Sequence, residues 1–322
     1  MEENKDIVTQ NTAKKGLFAH APILKDILAG FCIGVAFIIP GFSGGSVAAI
    51  LGIYEKLIGA IADLPRTPKK SIKTLLPIFI GLVLGAISLL YPLRFALSVA
   101  PLPTVSLFVG LAIGGMYSIT DKVKGKRATA GQLFALIIPL LVALALSFIP
   151  TGADVDLFAL SFGGYVLLFL IGVLGSAALV IPGISGSMIL LILGYYNPIV
   201  KVITDHLFSG KDMLLSLAVL GTAGAGIVLG FFLISIIMKQ LLAKYPRGTY
   251  FAIIGFIVGS VPTVYVSTAK DAGYIASGLP TEVWQYVLCA VLLALGLVGA
   301  YLFAKHAVKP EANKNAPSES GT

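Results

Sequence analysis

Charge is scarce in this chain. Only 12% of its 322 residues are Asp, Glu, Lys or Arg, against about 25% in a soluble domain. So few charges cannot cover a water-facing surface, which excludes an ordinary soluble globular protein. Cysteine is nearly absent too: Cys32 and Cys289 both fall in apolar segments. They imply no disulfide framework and no thiolate metal site, and read as packing residues. The three histidines, His20, His206 and His306, fall in expected tails or loops. A nucleophilic serine would therefore have no nearby base. No P-loop, zinc motif or dinucleotide fingerprint occurs, so no cofactor is expected. Also missing is the apolar–polar alternation of an outer-membrane barrel.

What is present is long apolar sequence. Hydrophobic residues make up 57% of the chain and mean hydropathy is +0.96. Runs near the ~20-residue bilayer length recur from Ile23 to Phe303, which predicts an all-α polytopic membrane protein. The net charge of +8 does not require nucleic acid, because basic residues collect in cytoplasmic loops of membrane proteins. Residues 1–22 are expected to form a polar cytoplasmic N-terminus rather than a cleavable signal peptide. Residues 23–305 form one transmembrane domain, and 306–322 a disordered cytoplasmic tail.

The domain contains an internal repeat. Ile38-Ile39-Pro40-Gly41-Phe42-Ser43-Gly44-Gly45 recurs 142 residues later as Val180-Ile181-Pro182-Gly183-Ile184-Ser185-Gly186-Ser187. Gly30 then aligns with Gly172, Gly52 with Gly194 and Tyr54 with Tyr196. Further along the offset becomes 145: Gly81 and Gly85 meet Gly226 and Gly230, Arg94 meets Lys239, Pro101 meets Pro246, and Gly110 and Gly114 meet Gly255 and Gly259. These glycines have small-xxx-small spacing and predict close helix packing. Repeat one covers about 23–150 and repeat two about 158–305.

Each repeat begins with two apolar arms around the Pro-Gly turn, about 23–62 and 160–203. Three further apolar segments follow: about 73–93, 104–119 and 130–149, then 213–238, 249–267 and 283–304. The arms form either a re-entrant hairpin or two full spans, and both return the chain to its starting side. Three more crossings make an odd number, so the two halves should be inverted relative to each other. With the N-terminus inside, the predicted inner segments hold 19 of the 23 Lys plus Arg. Only Arg94, Lys201, Lys211 and Lys270 fall outside. That bias places both termini in the cytoplasm.

The motif suggests a binding chemistry. Irregular backbone at membrane depth is tolerated only when shielded by protein or facing a watery cavity. Pro40 and Pro182 should end the incoming helices, Gly41 and Gly183 should permit reversal, and Ser43 and Ser185 are expected N-caps. Gly44, Gly45, Ser46, Gly186 and Ser187 follow, at helix starts whose free N–H groups suit an anion such as phosphate. Tyr54 and Glu55 lie in the returning arm. Glu55 is either an intramembrane acid with a coupling role or an interface residue beside Lys56, and its counterpart is Asn197. Arg94 and Lys239 could hold a phosphate or could snorkel to the interface. Tyr54, Tyr195, Tyr196 and Trp284 read as interface anchors.

In these motifs the chain resembles the DUF368 family, polyprenyl-phosphate (undecaprenyl-phosphate) translocases of bacteria and archaea. Ile39 to Ser46 followed by Gly52-Ile53-Tyr54-Glu55-Lys56 is similar to the family's first signature. Ile181 to Ser187 followed by Gly194-Tyr195-Tyr196 is similar to the second, and Phe251 to Ser260 to a third element. The Tyr-Glu pair is absent after the second turn. The resemblance implies a flippase in the bacterial cytoplasmic membrane whose partner is a polyprenyl-phosphate lipid, returned to the inner leaflet for cell-envelope synthesis. The same turns would also suit a small-anion channel or secondary transporter. An enzyme acting on a lipid phosphate would need an acid, base or metal cluster that the sequence does not offer.

Overall fold

The computed structural model describes residues 22–38, 43–120, 122–125, 127–184, 186–207, 212–274 and 282–307. The polar N-terminus, the tail beyond residue 307, Pro40, Gly41 and Ser185 lie outside the described residues. Among those described, every regular element is helical. The first half contains α1 (Pro22–Ile38), α2 (Gly44–Ile50), α3 (Tyr54–Ala62), α4 (Pro68–Val99), α5 (Pro101–Gly115), the short α6 (Tyr117–Thr120) and α7 (Ala130–Leu146). The second contains α8 (Phe162–Val180), α9 (Gly186–Ile192), α10 (Tyr196–Lys201), which runs into a π-helical turn at Val202–Leu207, α11 (Met213–Lys244), α12 (Pro246–Asp271) and α13 (Val283–Ala307).

Helix lengths follow from composition. α4 and α11 each run 32 residues, longer than their apolar cores because Lys-bearing turns extend them into polar surroundings. Pro68, Pro101 and Pro246 open α4, α5 and α12 at a position where a missing N–H costs nothing. Among the described residues, five helices are long and apolar enough to cross a membrane: α4, α5 with α6, α11, α12 and α13. α2 has 7 residues, about 10 Å of rise, far short of a ~30 Å core. It is bent from α3 by 120°, and α9 is bent from the α10 segment by 107°. Both breaks use a duplicated glycine in the left-handed region, Gly52 at φ +71 and Gly194 at φ +77, which a side chain would strain.

The helices pack in four extensive pairs: α1 with α4, α8 with α11, α5 with α13, and α7 with α12. The first two pairs lie within a half. The others cross between halves, so that the last helix of each half packs on the other half. Glycine explains how closely they approach. A Cβ on Gly81 would lie 1.9 Å from the Ile27 carbonyl oxygen, and one on Gly226 would lie 2.1 Å from that of Phe169. Ile27 and Phe169 are themselves 142 residues apart, so the duplicated glycines make duplicated contacts. Gly110 and Gly114 meet the backbone at Leu293 and Leu297 of α13, as Gly255 and Gly259 meet Leu136 and Leu140 of α7. Polar groups also join helices: Ser106 Oγ and Tyr265 Oη lie 2.9 Å apart, and Ser147 bonds Thr263.

One end of the bundle carries a chain of polar contacts. Lys56 pairs with Asp26 at 2.5 Å and Lys239 with Asp63 at 2.5 Å. Lys122 lies 3.5 Å from Glu55, Glu55 accepts from Tyr250 Oη, and Arg247 Nη2 donates to the Val123 carbonyl at 2.9 Å. A separate cluster closes the other hairpin, with Asn197 Nδ2 3.1 Å from Asp154 and Lys201 3.5 Å from it. Large apolar side chains face outward along the helices, among them Phe95, Phe134 and Leu295, as a lipid-facing surface requires.

Several expectations are corrected here. Tyr54 and Tyr195 are buried, at 1% and 5% exposure, and are not interface anchors; Tyr196 and Trp284 are exposed. Cys32 faces outward rather than packing inside. His206 sits in the π-helical turn and His306 in the last turn of α13, not in loops.

Candidate functional site at the two broken helices

Ser43 occupies the N-cap position of α2 with extended backbone, φ −106 and ψ 125. Its carbonyl accepts from Ser46 N at 3.0 Å and Val47 N at 3.3 Å. The expected side-chain cap does not form. Ser43 Oγ is buried and has no hydrogen-bond partner among the described residues, a costly state for a hydroxyl. Gly44, Gly45 and Ser46 are buried as well. The space a Gly44 side chain would occupy belongs to α1, with Phe37 Cζ 2.8 Å from a Cβ placed there.

At the second turn Pro182 and Gly183 are buried. Gly183 has φ +87, and a Cβ on it would meet the Phe256 backbone of α12 at 2.4 Å. Glycine is therefore required twice over, for backbone conformation and for space. Gly186 and Ser187 line a cavity of about 160 Å³, together with Leu168, Gly172 and Tyr196. On the other side of the turn, Ile181 lines a larger cavity of about 760 Å³ against α7, α11 and α12. No described residue of the first turn lines either cavity.

A side-chain hydrogen bond joins the two broken helices. Tyr54, at the start of α3, donates its hydroxyl to the Val180 carbonyl at 3.0 Å. Val180 is the last residue of α8, immediately before the second turn. Around this bond Ile53, Met238, Tyr250, Ile253 and Ile257 form one apolar cluster. The sequence singles out Tyr54 for its place beside Glu55 but does not reveal its partner.

The charged candidates separate. Glu55 is half-exposed and shared between Lys122 and Tyr250, away from the buried turn residues. Lys239 is held by Asp63, with both side chains partly exposed. Arg94 is exposed on α4. The buried acid is instead Asp26, 7% exposed and paired with Lys56. An acid among the apolar residues of α1 was a signal available from the sequence, by the same rule that singles out Glu55. Exposed pairs are worth about 1 kcal/mol or less. Lys239→Gln is thus expected to lower the melting temperature by less than about 4 °C, as differential scanning fluorimetry would show. A loss of transport beyond that change in folding would assign the cation to the ligand.

A family profile described as undecaprenyl phosphate translocase-like matches residues 33–278. The polyprenyl-phosphate transporter of Staphylococcus aureus (strain NCTC 8325 / PS 47) is 30% identical over 280 residues, 85% of this chain and 93% of the relative. The polyprenyl-phosphate transporter of Vibrio cholerae serotype O1 (strain ATCC 39315 / El Tor Inaba N16961) is 27% identical over 143 residues, 38% of this chain and 46% of the relative. No solved structure matches. The match of the profile across most of the chain, including both turns, shows that it belongs to the undecaprenyl phosphate translocase-like family.

Proposed function

We propose that the protein is a flippase that returns undecaprenyl phosphate from the outer to the inner leaflet of the bacterial cytoplasmic membrane, with the phosphate received at the two Pro-Gly-x-Ser-Gly turns. The observation that carries this reading is the Tyr54–Val180 bond, which ties the start of one broken helix's return to the brink of the other turn. Related transporters bearing the name polyprenyl-phosphate transporter supply the substrate class. The unpartnered Ser43 hydroxyl and the helix starts at Gly44 and Gly186 are donors for an anionic head.

An inverted arrangement is supported by the polar contacts. Asp26 of α1 lies in the chain of contacts that reaches α3 and the ends of α11 and α12. Asp154, just before α8, belongs to the separate cluster at Asn197 and Lys201. The two hairpins then dip in from opposite ends, and alternating exposure of the turns carries the head across while the tail stays in hydrocarbon. The Lys- and Arg-rich end faces the cytoplasm, with both termini there.

The test is transport of undecaprenyl phosphate in proteoliposomes. Ser43→Ala and Ser187→Ala are each expected to lower flux about tenfold, the loss of one charge-assisted hydrogen bond. Flux equal to that of empty vesicles would refute the proposal. Suppression by chloride would transfer the turns to a small-anion carrier.

A further inference from the structure

The larger cavity has the chemistry of an amphiphile site. Its polar end is built from two helix starts. Thr129 caps α7 reciprocally with Gln132: Gln132 N donates to Thr129 Oγ1 at 3.4 Å, and Thr129 N donates to Gln132 Oε1 at 3.1 Å. This arrangement uses the Gln132 carbonyl oxygen and leaves its NH₂ group as a donor. Across the cavity α12 starts at Pro246, with no side-chain cap at Tyr245. Gly248 in its first turn faces open space. Among the described residues, Arg247 is the one charged side chain lining the cavity, and its Nη2 bond to the Val123 carbonyl fixes the guanidinium there. Two helix starts and the guanidinium offer N–H donors to an anion there, beside the opposing dipole end of α11 at Tyr245.

Everything deeper is apolar. From Arg247 to Phe256 the wall of α12 descends about 13 Å, passing Ala252 and Ile253 and ending beside Ile181 at the second turn. Leu241 lines the cavity and is 38% exposed, and Ile237, one turn away on the same face of α11 and outside the cavity, is 49% exposed, so this wall of the groove borders the lipid-facing surface. A volume of about 760 Å³ falls within the ~300–1,000 Å³ of small-ligand sites. It suits a phosphate head and the first isoprene units, with the rest of a long tail leaving through the side.

We infer that this groove between α7, α11 and α12 is a lateral binding site for an isoprenoid phosphate, with the head at Arg247 and the chain running back to the second turn. The inference rests on the proposed function and adds a place to it. Arg247 belongs to the polar end that carries Glu55 and Lys122, so the groove is where the lipid is held in the inner leaflet before release. The sequence places Arg247 only among the inner basic residues. Its meeting with Gln132 across the cavity depends on α7 packing against α12.

Binding of radiolabelled farnesyl phosphate to the purified full chain in nanodiscs tests this. Arg247→Gln is expected to weaken binding about tenfold or more, while Arg247→Lys retains most of it. Ala252→Trp fills the groove without touching the polar end and is expected to weaken binding to a similar degree, with the melting temperature unchanged. Farnesol should bind far more weakly than farnesyl phosphate, and inorganic phosphate should compete poorly. Binding indifferent to both Arg247→Gln and Ala252→Trp overturns the site. So does equal binding of farnesol, or competition by inorganic phosphate as effective as by unlabelled farnesyl phosphate. Undecaprenyl phosphate flux in the same variants separates the two claims. Groove-sensitive binding in a protein that moves no lipid defeats the flippase reading alone. Normal flux with groove-insensitive binding defeats the groove alone.

Discussion

Gly81→Leu will prevent the protein from accumulating as a folded monodisperse species. A Cβ at this position would lie 1.9 Å from the Ile27 carbonyl oxygen and 2.8 Å from its carbon. Both are backbone atoms of α1, so no rotamer change relieves the clash. Overpacking a core ordinarily costs about 1–3 kcal/mol, and here the whole helix must move away. Moving it also disrupts Gly85 on Phe31, and Gly30 and Gly34 on Ile78 and Leu82, because these contacts share one seam. Close approach is the main attraction between helices in lipid, where burial of apolar surface no longer drives association. Gly226→Leu, which meets Phe169 at 2.1 Å, should fail in the same way. Gly221 and Gly224 of α11 have nothing within 4 Å of where a Cβ would sit. Gly224→Ala should leave the protein as stable as the parent, or raise stability by up to ~1 kcal/mol through helix propensity. Gel-filtration profiles and melting curves of the four proteins decide the matter, and a Gly81→Leu protein that elutes and melts like the parent would contradict the packing described.

Tyr54→Ala is expected to uncouple the two broken helices. The side chain is 1% exposed and packs in the cluster that contains Val180, Met238 and Tyr250. Removing a buried aromatic costs about 3–5 kcal/mol. The substitution also leaves the Val180 carbonyl without its donor, at roughly 1–3 kcal/mol. Tyr54→Phe separates the contributions, since it keeps the ring and loses only the bond. The phenylalanine protein should stay folded with a melting temperature several degrees lower, and the alanine protein should lose most of its folded yield. If the joint serves transport, Tyr54→Phe lowers flux by more than its small change in folded yield. Equal melting temperatures for Tyr54→Phe and the parent would remove the bond from the account.

The sequence makes the duplicated architecture legible because glycine and proline leave strong local marks. Pro101 and Pro246 open equivalent helices, Gly52 and Gly194 adopt equivalent left-handed conformations, and the small-xxx-small glycines sit at the seams their spacing predicts. The boundaries of α4 and α11 extend beyond their apolar runs because charged turns continue a helix that composition alone would end. Side-chain partners are much less legible. Lys239 meets Asp63 across 176 residues and Tyr54 meets Val180 across 126, and no local pattern encodes such distances. The N-cap expectation for Ser43 holds for the backbone, whose φ and ψ suit a cap, and fails for the hydroxyl, which makes no bond to the α2 amides. Tyrosine beside the Gly-x-Tyr break suggests an interface ring, yet tertiary packing draws Tyr54 and Tyr195 inward.

The crossed pairing of α5 with α13 and α7 with α12 has a consequence for biogenesis. The groove formed by Gly110 and Gly114 is filled only when Leu293 and Leu297 arrive, roughly 180 residues later in synthesis. At about 5–20 residues per second, the nascent protein waits roughly ten to forty seconds with that seam open to lipid or to the insertion machinery. A ribosome that stops before residue 283 leaves an orphan whose α5 glycines have no mate, a natural target for membrane quality control.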